Sequence, residues 1–550
     1  MITLVNSLYS GFVEFPKYLR EFRASIVVCL FLAIMGHSRA QDCSPPDKRL
    51  EGLPILEVTI DNNDIFDLEQ EDQNLWIHKW ANKLHINTRK KTIEEQLLFD
   101  PQDGYNQQLI NETERLLRNR NYIHDAEITA EEVCGKGVKL TVATTDNWTL
   151  TPSITVSRSG GETRTAFEIE ESNLLGLGTE IKILSESDEE RDSDAFVYRD
   201  INWLGNLKTL KLELADNSDG HVYEVDLARP FIKQDSKYAW SIWPSSIERE
   251  NPIYEQGDEV AKVGEMNDSL LLSYGWSDGL VGDSVSRYRL GWFANRLRYN
   301  TVDDPNIELP EDVDKSYPFI EYEHLNVKYV ERINFRVMGI TEDIKLGTSM
   351  RTRIGWKDAA YESTQEGYVL EFDYSLGNFI STHTLGLFDL RLSHESNKTI
   401  DDTGRIVMRG QLYNFRGVND SYVFSSRLEA AQNPELFERI EVGGDSGLKG
   451  YPVRFQNGER AFTLSAERRV YFNVYLWQLF KFGFAVFAEA GSAWDNGENP
   501  IWLSDVGTGL RLVSTRQSNS KVLHIDIAFP LSEKEDIDDY QLFVRARTEF

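Results

Sequence analysis

The sequence predicts a mostly β protein, a transmembrane antiparallel β-barrel of about 16 strands preceded by one small α/β domain. Three observations lead there. After Asp146 the residues alternate apolar and polar with period two, in segments of roughly ten separated by acidic, Gly-rich or Asn-rich stretches. The one long uncharged apolar run, residues 25–36, is too short for a membrane helix, which needs about 20 residues. The chain also stops on an alternating segment that ends in an aromatic residue, Phe550.

The alternation is clearest in residues 344–356. Ile344, Leu346, Thr348, Met350, Thr352, Ile354 and Trp356 fall on one face, and Lys345, Gly347, Ser349, Arg351, Arg353 and Gly355 on the other. Leu210, Leu212 and Leu214 stand against Lys211 and Glu213 in the same way, and Tyr368, Leu370, Phe372 and Tyr374 against Glu371 and Asp373. A soluble sandwich alternates too. Two features favour a barrel in lipid: segment lengths that suit a tilted strand crossing a bilayer, and ionic faces carrying both signs on neighbouring segments, as a water-filled lumen would. Lipid offers no hydrogen-bond partner, so every strand edge must be paired and the sheet must close.

This reading puts Leu346, Met350, Phe372 and Tyr374 on lipid and Arg351, Arg353, Glu371 and Asp373 in the lumen. At the usual strand-plus-loop length, the stretch after Asp146 holds about 16 strands. Five of them follow Gly443, at about 461–472, 477–489, 505–514, 521–529 and 541–550. The acidic connection at residues 532–539 belongs outside the cell.

Ahead of the barrel, the apolar run follows Lys17, Arg20 and Arg23 and ends at Ser38-Arg39-Ala40, which reads as a signal peptide over residues 1–40 cut before Gln41. Asp42 ahead of Cys43 does not suit lipobox processing. Export leaves Cys43 and Cys134 as two thiols in an oxidising compartment, where they are a candidate pair. A linker over 41–54 leads into a mixed unit over 55–145: a strand at 56–60, helical periodicity at 74–84 and 106–117, then strands at 122–129 and 137–143. The barrel takes residues 146–550.

A net charge of -30 repels nucleic acid and anionic lipid headgroups. No spaced Asp/Asn/Gly loop of the EF-hand type appears, so no metal site is expected. Gly444-Asp445-Ser446-Gly447 copies the tetrapeptide around a trypsin-like nucleophile, but no His lies in a matching context, and loop glycines are the simpler reading. With no Gly-x-Ser-x-Gly elbow, His-Glu-x-x-His helix or phosphate-binding Gly loop, neither catalysis nor a cofactor is expected.

Longer runs resemble a known family. Val442-Gly443-Gly444 through Gly447-Leu448-Lys449-Gly450-Tyr451, then Phe487-Ala488-Glu489-Ala490-Gly491, then Gly507-Thr508-Gly509-Leu510-Arg511, ending on Phe550, resemble the C-terminal barrel signature of the BamA/TamA-like outer-membrane proteins. Leu97-Leu98-Phe99 through Gly104-Tyr105-Asn106, and Glu112-Thr113-Glu114-Arg115-Leu116-Leu117 to Tyr122, resemble their POTRA repeat. Asn173-Leu174-Leu175-Gly176-Leu177-Gly178 resembles the stretch near the barrel's start.

The resemblance implies a barrel in the bacterial outer membrane, in a bilayer with lipopolysaccharide, with the POTRA-like domain in the periplasm. It implies unfolded outer-membrane or secreted polypeptides as clients, handled at the seam between first and last strands, and leaves room for accessory periplasmic subunits. It also implies a loop folded into the lumen, here Gly447, Leu448, Lys449, Gly450 and Tyr451, with Lys449 where the family has Arg. The loop's partner would be Glu489, where the family has Asp. Parity along residues 480–489 points Glu489 inward, and Lys cannot make the bidentate fork of Arg, so a single-pronged contact is expected. Val544 and Phe550 would form the C-terminal strand signal. The chain departs from the family's general assembly factor in having room for one POTRA unit, and from some single-POTRA relatives in lacking a lipase domain. Rival readings are a dedicated two-partner-secretion exporter and a passive barrel.

Overall fold

The structure is a computed structural model that describes residues 50–133, 136–159, 162–255, 258–302, 309–398, 400–434, 436–532 and 537–547. The expected signal peptide, Cys43, Cys134 and Phe550 lie outside the described residues.

Among the described residues the N-terminal domain contains three helices and a three-stranded sheet. Strands β1 (Ile55–Asn63), β2 (Ile123–Glu132) and β3 (Val138–Asp146) lie in the order β1-β3-β2, with β1 parallel and β2 antiparallel to β3. Between β1 and β2 run α1 (Trp76–Leu84), α2 (Lys90–Glu94) and α3 (Gln107–Arg118). Alternation makes β3: Val138, Leu140 and Val142 are buried while Lys139 and Thr141 are exposed. Helix α3 starts where the Asn106 side chain accepts from the Leu109 amide at 3.0 Å and ends on Arg115 and Arg118, suited to the negative helix end. Its Ile110 and Leu117 join Ile93 of α2 on the β3 face, forming the domain core.

The rest of the chain is one sheet. Six short strands come first: β4 (Leu150–Ser159), β5 (Glu162–Glu171), β6 (Thr179–Ser187), β7 (Asp192–Asp200), β8 (Thr209–Asn217) and β9 (Gly220–Arg229). Longer ones follow: β10 (Tyr238–Glu255), β11 (Asp258–Val281), β12 (Ser284–Thr301), β13 (Val313–Ile333), β14 (Thr341–Lys357), β15 (Gly367–Ser381), β16 (Thr384–Glu395), β17 (Thr403–Phe415) and β18 (Asp420–Gln432). A ribbon of β19 (Ile440–Val442) and β20 (Gln456–Gly458) lies in the next connection, before β21 (Arg460–Leu476), β22 (Phe480–Trp494), β23 (Leu503–Ser514), β24 (Val522–Pro530) and β25 (Gln541–Arg547). Neighbours pair antiparallel, β18 pairs with β21, and β25 returns to β4.

Among the described residues the closed barrel has 20 strands, not about 16. The shortfall comes from the first six strands, which are only 9 or 10 residues long and are joined by tight connections such as 218–219, so each crossing uses fewer residues than the usual allowance.

The two faces of the sheet differ as a membrane barrel requires. Ile154, Ile183, Ile320, Val486 and Leu510 stand exposed on the outer wall. Inside, ionic residues pair across strands: Arg351 lies 2.5 Å from Asp373, and Glu321 receives Arg289 at 2.7 Å and Arg353 at 2.8 Å. Met350 is adjacent to Arg351 and therefore on the other face. Leu346 is a correction to the sequence reading: it packs, with Ile344, on a cluster of Phe335, Leu385 and Tyr413. Gly347, at φ +90°, interrupts the alternation just before the regular part of β14.

Candidate functional site

Two groups of side chains stand out, one at each end of the lumen, together with the strand pair that closes the barrel. At the end far from the N-terminal domain, residues 439–459 fold inward. Gly447 has φ +104°, a conformation that favours glycine, and a Cβ on Gly450 would lie 2.7 Å from Asp505 Cβ. Leu448 packs on Ile440 and Val442, and the Tyr451 hydroxyl donates to the Ser504 carbonyl at 2.9 Å.

These contacts place Lys449 against the barrel wall. Its Nζ lies 3.2 Å from Glu489 Oε1, and its backbone amide donates to Glu489 Oε2 at 2.9 Å. Both side chains are nearly enclosed, 10% and 9% exposed. The side chain makes one prong, and the backbone supplies a second that residue types alone do not reveal. Lys449 Nζ also sits 3.8 Å from the centre of the Phe487 ring and 3.9 Å from Asp526 Oδ2. Around it lie groups that the sequence reading did not single out. Asp505 accepts from the Gly450 amide at 2.9 Å, Arg511 pairs with Asp526, and Glu467 receives Arg469 at 3.0 Å and Arg511 at 3.5 Å. Parity could have found two of them as inward-facing: Asp505 and Arg511 share a face of β23 with Gly507 and Gly509.

From this wall the segment reaches across the lumen. Arg454 pairs with Glu190 of the β6–β7 connection and lies 4.1 Å over the Tyr254 ring, and Asn457 donates to the Tyr254 carbonyl of β10 at 3.1 Å. Ser446 sits in the inward turn, its amide donating to the Gly443 carbonyl at 3.1 Å.

The opposite mouth is covered by the N-terminal domain. Its Arg89 amide donates to the Gly176 carbonyl at 3.0 Å, Glu95 accepts from Asn202 at 2.8 Å, and Glu112 accepts from the Gln234 amide at 3.0 Å. On the far side of the ring, Arg118 grips Asp343 through Nε at 3.1 Å and Nη2 at 2.9 Å and reaches Glu331 at 2.7 Å. His78 lies 2.7 Å from the Trp477 carbonyl oxygen, and the Trp148 amide donates to Arg516 at 2.7 Å. Partners on nearly opposite strand pairs mean that the domain lies across the opening. Burial here, and secondarily the Arg516 charge, pushes the His124 imidazole down to about 3.

The closing pair is the weakest part of the wall. Among the described residues β25 meets β4 through one partnered position, Val544 opposite Arg158, whereas β24 and β25 share seven.

No family model matches the chain, and no curated protein matches it. Solved structures similar to it include a BamA from Haemophilus ducreyi lacking POTRA domains 1–3, with 10% identity over 89% of this chain and 84% of that one, TM-score 0.39. Two others are CdiB proteins. The one from Escherichia coli has 11% identity over 90% of this chain and 76% of that one, TM-score 0.44. The one from Acinetobacter baumannii has 11% identity over 96% and 97%, TM-score 0.42. None of these assigns the chain to a family.

Proposed function

We propose that this protein is an outer-membrane factor that inserts or translocates other polypeptides, with the N-terminal domain docking an extended client and the β25–β4 seam handling it. The observation that carries the reading is the seam itself: among the described residues it has one partnered position, where every other strand pair of the barrel has at least seven. A barrel edge held so lightly parts readily, and a parted edge offers N–H and C=O groups that a client strand satisfies without sequence specificity. The N-terminal sheet offers a second edge of the same kind.

Both mouths of the lumen are covered, by residues 439–459 at one end and by the N-terminal domain at the other, and this favours work at the seam over passage through the lumen. It therefore favours insertion over dedicated export. The test is a reversible lock. Antiparallel partners stand at a spacing a disulfide can bridge, so Arg158→Cys with Val544→Cys, in a chain with Cys43 and Cys134 replaced by Ser, should close the seam on oxidation. Assembly of client barrels should stop and resume on reduction, with the barrel folded throughout. Unchanged client assembly in the oxidised form would defeat the proposal.

A further inference from the structure

Helix α1 stands apart from the core of its own domain, to which it contributes no residue. Its inner side is used for docking instead. His78 is fully buried, stacks on Phe66 with 4.3 Å between ring centres, and lies 2.7 Å from the Trp477 carbonyl oxygen in the turn between β21 and β22. Asn82 accepts from the Phe66 amide at 3.1 Å and donates to the Phe66 carbonyl at 2.7 Å. Just before the helix, Asp72 accepts from Gln478 of the same turn at 2.6 Å.

These contacts fix which side of α1 looks away from the protein. That side carries Trp76, Trp80 and Leu84, four residues apart on one helical stripe and 77%, 60% and 50% exposed. Lys79 and Lys83, also exposed, flank the stripe. Two observations indicate what covers it. The turn on which α1 is docked leads directly into the outer wall of the barrel, where Trp477, Leu476, Val474 and Phe472 are exposed in succession around the strand end. The local charge also opposes that of the whole chain: residues 75–93 hold Lys79, Lys83, Arg89, Lys90 and Lys91 with no Asp or Glu, in a protein of net charge -30.

We infer that α1 is an interfacial membrane anchor, lying flat in the leaflet at the domain end of the barrel. Trp76, Trp80 and Leu84 enter the boundary between headgroups and acyl chains, and Lys79 and Lys83 extend to the phosphates of anionic phospholipids. Tryptophan suits that depth because its ring is apolar while its indole N–H needs a polar partner, and a lysine is drawn to the phosphates of an anionic surface. The inference rests on the membrane reading of the barrel given above.

The test uses the full chain refolded into phosphatidylethanolamine/phosphatidylglycerol vesicles whose acyl chains carry bromine near the headgroup, which quenches nearby tryptophan. Emission from the chain, minus that from a Trp76→Phe/Trp80→Phe variant, belongs to the two helix tryptophans. Bromolipid should quench this difference, and replacing phosphatidylglycerol by phosphatidylcholine, or introducing Lys79→Glu/Lys83→Glu, should weaken the quenching about twofold. Unquenched difference emission, with the remaining tryptophans quenched, would overturn the anchor while leaving the membrane barrel intact. A dimer that the Trp76→Phe/Trp80→Phe variant no longer forms, together with unquenched emission, would give the face to a second copy instead. No quenching of any tryptophan would overturn the membrane reading and the anchor with it.

Discussion

Lys449 and Glu489 are held in a space that water scarcely reaches, so their contact differs in kind from an exposed ion pair, which is worth about 0–1 kcal/mol. Removing one partner of an enclosed pair costs about 3–5 kcal/mol when the other charge is left stranded, and Lys449→Ala or Glu489→Ala should each cost somewhat less, because Glu489 keeps the residue-449 amide and Lys449 keeps Asp526 at 3.9 Å. In a double-mutant cycle read by urea denaturation the double variant should lose clearly less than the two single losses combined, and strict additivity would show that the pair is not coupled. On the opposite face of the sheet the logic reverses. Met350→Arg places a charge against lipid and should cost about 2–4 kcal/mol near the midplane. Arg351→Ala should cost less, because Asp373 keeps Arg391 at 3.1 Å. Heat-modifiable gel migration ranks the two, and an equal loss would place Met350 in the lumen.

Among the elements, the N-terminal domain bears the most specific chemistry at its contact with the β23–β24 turn. His124 is neutral when docked, its imidazole pushed down to about 3 by burial and by Arg516, against an ordinary value of 6.5. The undocked or unfolded state binds the proton first, so the docked state has its full stability above about 6.5 and loses it as pH falls from there toward 3, by up to about 1.4 kcal/mol per pH unit. Limited proteolysis of the domain from the folded barrel should therefore accelerate between pH 7.5 and pH 5, and His124→Phe should flatten that dependence. A profile unchanged by the substitution would mean that another group governs docking. This dependence was not legible in the sequence, because His124 lies 392 positions from Arg516 and its surroundings exist only once the domain is seated.

For the molecule as a whole, two covers lie in series along one lumen. Replacing residues 444–455 by a short glycine linker opens one end, and Arg118→Ala with His78→Ala loosens the other. Planar-bilayer conductance should stay low for either change alone and rise severalfold when they are combined, in variants whose heat-modifiable migration shows a folded barrel. A full-size channel from the loop deletion alone would show that the domain does not seal its mouth. The sequence by itself determined that the sheet is two-faced, because period-two alternation over residues such as 348–356 fixes which side chains share a face wherever the backbone stays regular, and closure followed once one face was read as lipid-facing, since lipid leaves no strand edge unpaired. It determined the inward side of β22 for the same reason. Only the tertiary structure decided the strand number, since connection lengths carry no periodic signal. It alone placed Leu346 inside, where Gly347 breaks the alternation, and assembled Asp505, Asp526, Arg511 and Glu467 around Lys449. Those contacts join an inward-folded loop to three of the next four strands, and which side chains meet there is set by the path of the loop and the register between strands, which no local pattern encodes.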